Sequence, residues 1–284
     1  MKLGVSLYSF HKYASDRMDG VKDCIQRAQA LGFAGLDFVE VGLNVDEYLP
    51  YAAEIGAFCR EIGMETVCFC TGADFLNCDD IQAEVARVKR NVDIALAYGC
   101  AIFRHDISRG FTAGDSRTYD DAIGIIAPVV HEIADYAAAR GIVCTTENHG
   151  FFSQDSDRVE KLIRAVDHPN FGALVDIGNF SCADEENVSA VRRLAPYARH
   201  AHVKDFHCRP ADAEHPGTGW FRSRGGNYLC GAILGQGDLS VRECITALSD
   251  GGYDGYLTLE FEGPEDPLQA IAQGMENLKK YMEK

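Results

Sequence analysis

Positive charge is scarce in this 284-residue chain: 27 lysines and arginines stand against 43 acids, a formal charge of −16. Such a surface repels polyanions, which argues against nucleic acid or an acidic membrane as a partner and leaves small molecules. Spacers are lacking as well. No Pro/Ser-rich stretch, low-complexity tract or run of like charges interrupts the sequence, so a single domain over residues 1–284 is expected. Long apolar runs are also missing, with nothing near the roughly 18 apolar residues that a membrane helix needs. The start, MKLGVSLYSFHKY, carries no apolar signal core, and a cytoplasmic protein is expected. The eleven cysteines are odd in number and form no C-x-x-C pair, which speaks against a disulfide framework or a zinc knuckle. Cys68 and Cys70, two apart in a strand-like run, are expected to share one face as small buried hydrophobes.

What is present is a regular alternation of eight short strand-like runs with eight segments of helical periodicity. The runs lie at residues 2–8, 35–41, 64–71, 100–106, 142–147, 171–176, 199–204 and 255–261. Gly32, Gly63, Gly99, Gly141 and Gly251 follow helical segments where a left-handed cap is expected, and Ser240 with Glu243 has capping-box spacing. Eight βα units whose strands are too apolar for a sheet wet on one face predict an α/β fold of one closed parallel barrel, a (β/α)8 TIM barrel. The alternative, an open doubly wound sheet, carries a glycine-rich phosphate loop after its first strand, where this chain has SLYSFHKYAS. The longest non-helical stretch, residues 205–238, follows the seventh run and holds Trp220, His207, His215, Arg209, Arg222 and Arg224. It is expected to be a loop that covers substrate, and its arginines keep a phosphate or carboxylate on the substrate open.

Four donors occupy matching places in four of these runs: Glu147 ends IVCTTE, Asp176 ends FGALVD, His202 lies in RHAHVKD and Glu260 ends GYLTLE. Acids in apolar strands are costly unless something offsets their desolvation, and a shared divalent cation would do so. Strands five to eight are consecutive, so their C-terminal ends, where barrel chemistry sits, would bring the four together. Three oxygens and one nitrogen favour Mn²⁺, with Mg²⁺, Co²⁺ and Zn²⁺ also compatible. His149, Lys204 and, at the end of strand four, His105 are further candidates for touching substrate, His105 being preferred over its neighbours Arg104 and Asp106.

TTENHG at 145–150, LVDIGN at 174–179, HVKD at 202–205, GQGD at 235–238 and GYLTLE at 255–260 together resemble the xylose-isomerase-like TIM barrels of sugar (phosphate) isomerases and epimerases. The resemblance implies that Glu147, Asp176, His202 and Glu260 bind one divalent metal and that the two glutamates flank a ketose or related polyol ketone. One glutamate would remove a proton beside the carbonyl, the metal would stabilise the enediolate, and the other would return the proton, giving isomerisation or epimerisation. Three residues after the aspartate, ketose 3-epimerases tend to carry a histidine where this chain has Asn179, a side chain that can still bond hydroxyls. The arginine that those enzymes place after the ligand histidine would correspond to Arg209. The family also includes dehydratases of inosose and dehydroshikimate, for which His105, His149 or His207 could serve as the acid. Endonuclease IV-type AP endonucleases share the barrel but need more ligands and a basic face, and a non-catalytic sugar-binding barrel would not need two opposed glutamates. Relatives often form homo-oligomers.

Overall fold

The protein is described by a computed structural model covering residues 1–11, 13 and 18–283. In chain order the principal elements are β1 (Lys2–Ser6), α1 (Met18–Leu31), β2 (Gly35–Val39), α2 (Val45–Ile62), β3 (Glu65–Thr71), α3 (Ile81–Tyr98) and β4 (Ile102–His105). They continue with α4 (Tyr119–Ala138), β5 (Val143–Glu147), α5 (Ser156–Val166), β6 (Phe171–Asp176), α6 (Asn187–Leu194) and β7 (Ala198–Val203). The last are β8 (Asp205–Arg209), β9 (Phe221–Arg222), β10 (Tyr228–Ala232), α7 (Val241–Asp250), β11 (Tyr256–Leu259) and α8 (Pro267–Met282). Eight of the strands close into one parallel barrel in the order β1-β11-β7-β6-β5-β4-β3-β2, as the alternation of runs predicts.

Strand alternation sorts the side chains. In β2, Leu36 and Phe38 are buried toward the helices, where Phe38 stacks on Tyr98 at 4.3 Å between ring centres, while Asp37 between them turns into the lumen. Helix ends follow local chemistry. Asp80 accepts from the backbone N–H groups of Gln82 and Ala83 at the start of α3, and Thr118 with Asp121 forms a full capping box on α4. Gly32, Gly63, Gly99 and Gly141 adopt the expected left-handed conformation, but after α7 that role falls to Gly252 (φ 92°) and not Gly251. Ser240 begins α7 without a side-chain cap bond, so its capping-box spacing is not used.

The stretch at 205–238 is not a plain loop. β8, β10 and β9 form a three-stranded antiparallel sheet between β7 and α7. Its root is Asp205, whose carboxylate accepts from the N–H groups of Phe206, Gly235, Gly237 and Leu239 at 2.9–3.2 Å. A Cβ at Gly237 would collide with that carboxylate, which accounts for the second glycine of GQGD. Arg224, paired with Asp155 at 2.7 Å and donating to the Phe151 carbonyl, ties this sheet to the segment after β5.

Candidate metal centre and substrate cavity

At the C-terminal mouth the four donors converge: one ligand atom from each of Glu147, Asp176, His202 and Glu260 can be chosen so that all lie within 4.8 Å of one another. His202 Nδ1 is central, 3.7 Å from Glu147 Oε1, 3.9 Å from Asp176 Oδ2 and 3.6 Å from Glu260 Oε1. Backbone register makes this possible, since β6 and β7 pair Asp176 with His202 and β11 pairs Thr258 with His202. Each donor is aimed by a neighbour. Asp176 Oδ1 accepts from the N–H groups of Gly178 and Asn179 at 2.8 and 2.9 Å, leaving Oδ2 toward the cluster. Asn148 bridges β5 to β6 by bonding both the N–H and the carbonyl of Asp176 at 2.9 Å.

A buried residue of the lumen orients the imidazole. His202 Nε2 donates to Asp37 Oδ2 at 3.0 Å, and His200 Nε2 approaches the same oxygen at 2.5 Å. With its Nε2 proton committed, His202 offers the Nδ1 lone pair, the arrangement expected of a metal-ligating histidine. His202 Nδ1 is buried without a hydrogen-bond partner, and Asp176 Oδ2, 3.1 Å from Lys204 Nζ, accepts no well-formed hydrogen bond. Buried groups left in this way are rare, and a divalent cation held by three carboxylates and an imidazole fits them.

Two cations complete the electrostatics. Arg104 Nη2 pairs with Glu147 Oε2 at 2.6 Å and with Asp106 at 2.8 Å. Lys204 Nζ lies 2.7 Å from Glu260 Oε2, and its stem crosses where a Cβ on Gly178 would be. Burial raises the Glu147 carboxyl, but Arg104 and then His202 outweigh it and hold the group at about 2. Burial likewise opposes ionisation of Glu260, which Lys204 and His202 nevertheless keep well below the carboxylate range. Asp176 goes the other way, lifted to about 6 by burial and by the charges of Glu147 and Glu260 despite Lys204. Burial would lower His202, yet Glu260 and Asp37 raise it well above the ordinary imidazole value.

Three other candidate contacts are also here. Lys204 lies inside the cluster, Asn179 donates to Glu147 Oε1 at 3.0 Å, and His149 stands half exposed on the rim with Nδ1 2.9 Å from Asp106. Burial lowers His149, but Asp106 more than restores it, so its pKa is raised. Two expectations are corrected. His105 is wholly buried on the other side of β4 among Phe75, Phe103 and Phe171, and burial drops its pKa to about 4. Its neighbour Arg104 points inward instead, because β4 pairs Arg104 with Thr145, which shares a face with Glu147. Arg209 lies on the outer sheet, 3.7 Å from Asp238 and over Trp220, away from the donors. Arg222 is committed to Tyr228 within that sheet and Arg224 to Asp155 before α5, so neither is free for a substrate anion.

Three of the donors, Glu147, His202 and Glu260, line a cavity of about 270 Å³ that Tyr8, Cys70, Arg104 and His149 help to wall. A family model described as a xylose isomerase-like TIM barrel matches residues 25–281. The chain belongs to this family. Within the xylose isomerase-like barrels it is similar to the inosose dehydratase of Lacticaseibacillus casei, 25% identical over 152 residues, which are 53% of this chain and 50% of that protein. The chain thus spans about half the length of the curated relatives it matches. Solved structures of the same fold include 3-keto-D-glucoside 4-epimerase from E. coli, at 16% identity and a TM-score of 0.73 over 99% of both chains. Another is the IOLI protein with a bound zinc atom, at 15% identity and a TM-score of 0.77 over the full length of both.

Proposed function

We propose that this barrel is a divalent-metal-dependent isomerase or epimerase that moves a proton next to the carbonyl of a ketose or related polyol ketone. The observation that carries the reading is the pair of glutamates that line the inner cavity. Glu147 and Glu260 each turn one oxygen toward His202 Nδ1, at 3.7 and 3.6 Å, while the other oxygen is held by a buried cation. Two carboxylates in one cavity can share the work, one taking a proton from carbon and the other returning one. Their depressed pKa values keep both ionised, the form that can accept a proton. A cation held by Glu147, Asp176, His202 and Glu260, Mn²⁺ being the best match to this oxygen-rich set, would supply Lewis-acid stabilisation of charge on the substrate oxygen.

Within this site Lys204 and Arg104 orient the glutamates, and Asn179 steadies Glu147 for approach to the substrate carbon. Proton return to the opposite face of one carbon would be epimerisation, and return to the adjacent carbon isomerisation. A second reading, dehydration, has its own observation. His149, its pKa raised beside Asp106, stands at the rim where its imidazole could pass a proton to a departing β-hydroxyl, and the similarity to inosose dehydratase supports it. His105 and His207 do not line the cavity.

The deciding experiment follows candidate ketoses and cyclitol ketones by NMR in D₂O with Mn²⁺-loaded protein. Deuterium beside the carbonyl with a new sugar is the expected result, and loss of water would favour the dehydratase. Glu147→Gln and Glu260→Gln should each slow exchange by about 10²–10⁴-fold. Full activity in both variants would sink the mechanism.

A further inference from the structure

We infer that the chamber outside the donor cluster is a subsite for a second sugar ring, so that the substrate is disaccharide-sized. This deepens the proposed proton-transfer reading and rests on it.

The outer chamber measures about 660 Å³, against about 270 Å³ for the inner cavity, and Tyr8, His149, Lys204 and Glu262 line both. One continuous cleft therefore has an inner end with room for the reacting ring and a larger outer end. Its walls are aromatic. Among the described residues four phenylalanine or tyrosine side chains are more than a third exposed, and three of them, Tyr8, Phe151 and Phe221, face this chamber. Large exposed apolar groups gathered around one concavity mark a binding site.

These aromatic walls are built with care. Phe151 adopts φ 64°, a conformation costly for a bulky side chain. It is locked there by Gln154 Oε1, which accepts from its N–H at 2.6 Å, and by Arg224, which donates to its carbonyl. Phe221, on β9, rests edge-on against Phe206 at 5.8 Å between ring centres. Polar groups share these walls: Glu262, Asn179 and Arg109, the last without an ion pair among the described residues. Flat apolar faces for C–H groups together with hydrogen-bonding side chains for hydroxyls are what a pyranose ring requires, whereas an aryl group would leave the polar groups unused.

The test measures binding of methyl monoglycosides and of α- and β-linked gluco- and galacto-disaccharides to Mn²⁺-loaded protein by calorimetry, with saturation-transfer NMR locating the contacts. At least one disaccharide should bind tenfold or more tightly than its methyl monoglycoside. Phe221→Ala and Phe151→Gly, the latter tolerated by the left-handed backbone, should each erase most of that margin while leaving the monoglycoside affinity unchanged. No disaccharide advantage, an equal loss for both ligands, or tighter binding of a phenyl glycoside than of every disaccharide would overturn the inference. Deuterium exchange separates the two readings. A second-ring preference without exchange in any ketone defeats the proton-transfer reading alone, and exchange without that preference defeats this subsite alone.

Discussion

Asp37 never meets substrate, yet it decides which nitrogen His202 presents. Replacing it with asparagine keeps the size of the side chain but removes the charge that fixes the Nε2 proton. Loss of such an outer partner commonly weakens metal binding about 10–100-fold, and Asp37→Asn should do so in an Mn²⁺ titration followed by electron paramagnetic resonance. Unchanged affinity would remove the orienting role. The raised pKa values of Asp176 and His202 set a pH dependence with a definite sign. Below about 6 both groups are protonated in the metal-free protein, so metal binding displaces two protons. Above it Asp176 is already ionised and only His202 must give up a proton. Metal affinity should therefore rise with pH, steeply below about 6 and more gently above it. Calorimetry across pH 5–8 in buffers of different ionisation enthalpy counts the protons, and a flat profile would show that neither group is displaced.

At the level of elements, the three-stranded sheet of β8, β9 and β10 is fastened at two points of different strength. Arg224 and Asp155 form a partly exposed pair, a kind worth up to about 1 kcal/mol. Arg224→Ala should leave the global unfolding midpoint nearly unmoved while hydrogen exchange speeds up through residues 205–232. Asp205 is buried and serves four backbone N–H groups, so Asp205→Ala should cost on the order of 3 kcal/mol in urea unfolding. The barrel elements were legible in the sequence because each buried strand and each amphipathic helix repeats its own period. This sheet was not, since its short strands are defined by partners across a turn and by Asp205 rather than by any periodicity. The choice between Arg104 and His105 was hidden for a related reason. Which of two adjacent residues faces the lumen depends on register with β5, and strand ends carry no sequence mark of it. Asp37 was invisible as a site residue because it lies in the middle of its run, away from the strand end, 165 positions from His202. The four donors were readable because each is a costly residue at the end of its own run.

The whole molecule adds long-range charge and shared stability. With a net charge of −16 it attracts divalent cations from a distance, and added salt should slow Mn²⁺ association in stopped-flow measurements because the Debye length shrinks to about 8 Å at physiological ionic strength. A rate independent of salt would show that capture is governed locally. No helix of the described residues is long and apolar enough to cross a membrane.

The bridge from β2 to β7 through Asp37 has one more consequence, which concerns the order of events during folding. Every donor comes from the second half of the chain, but the group that sets the histidine tautomer comes from the first. A fragment holding only β5 to β11 would possess all four donors and still bind metal poorly. Tight metal capture thus reports that the ring of strands has closed, so the nascent chain gains its reactive centre last.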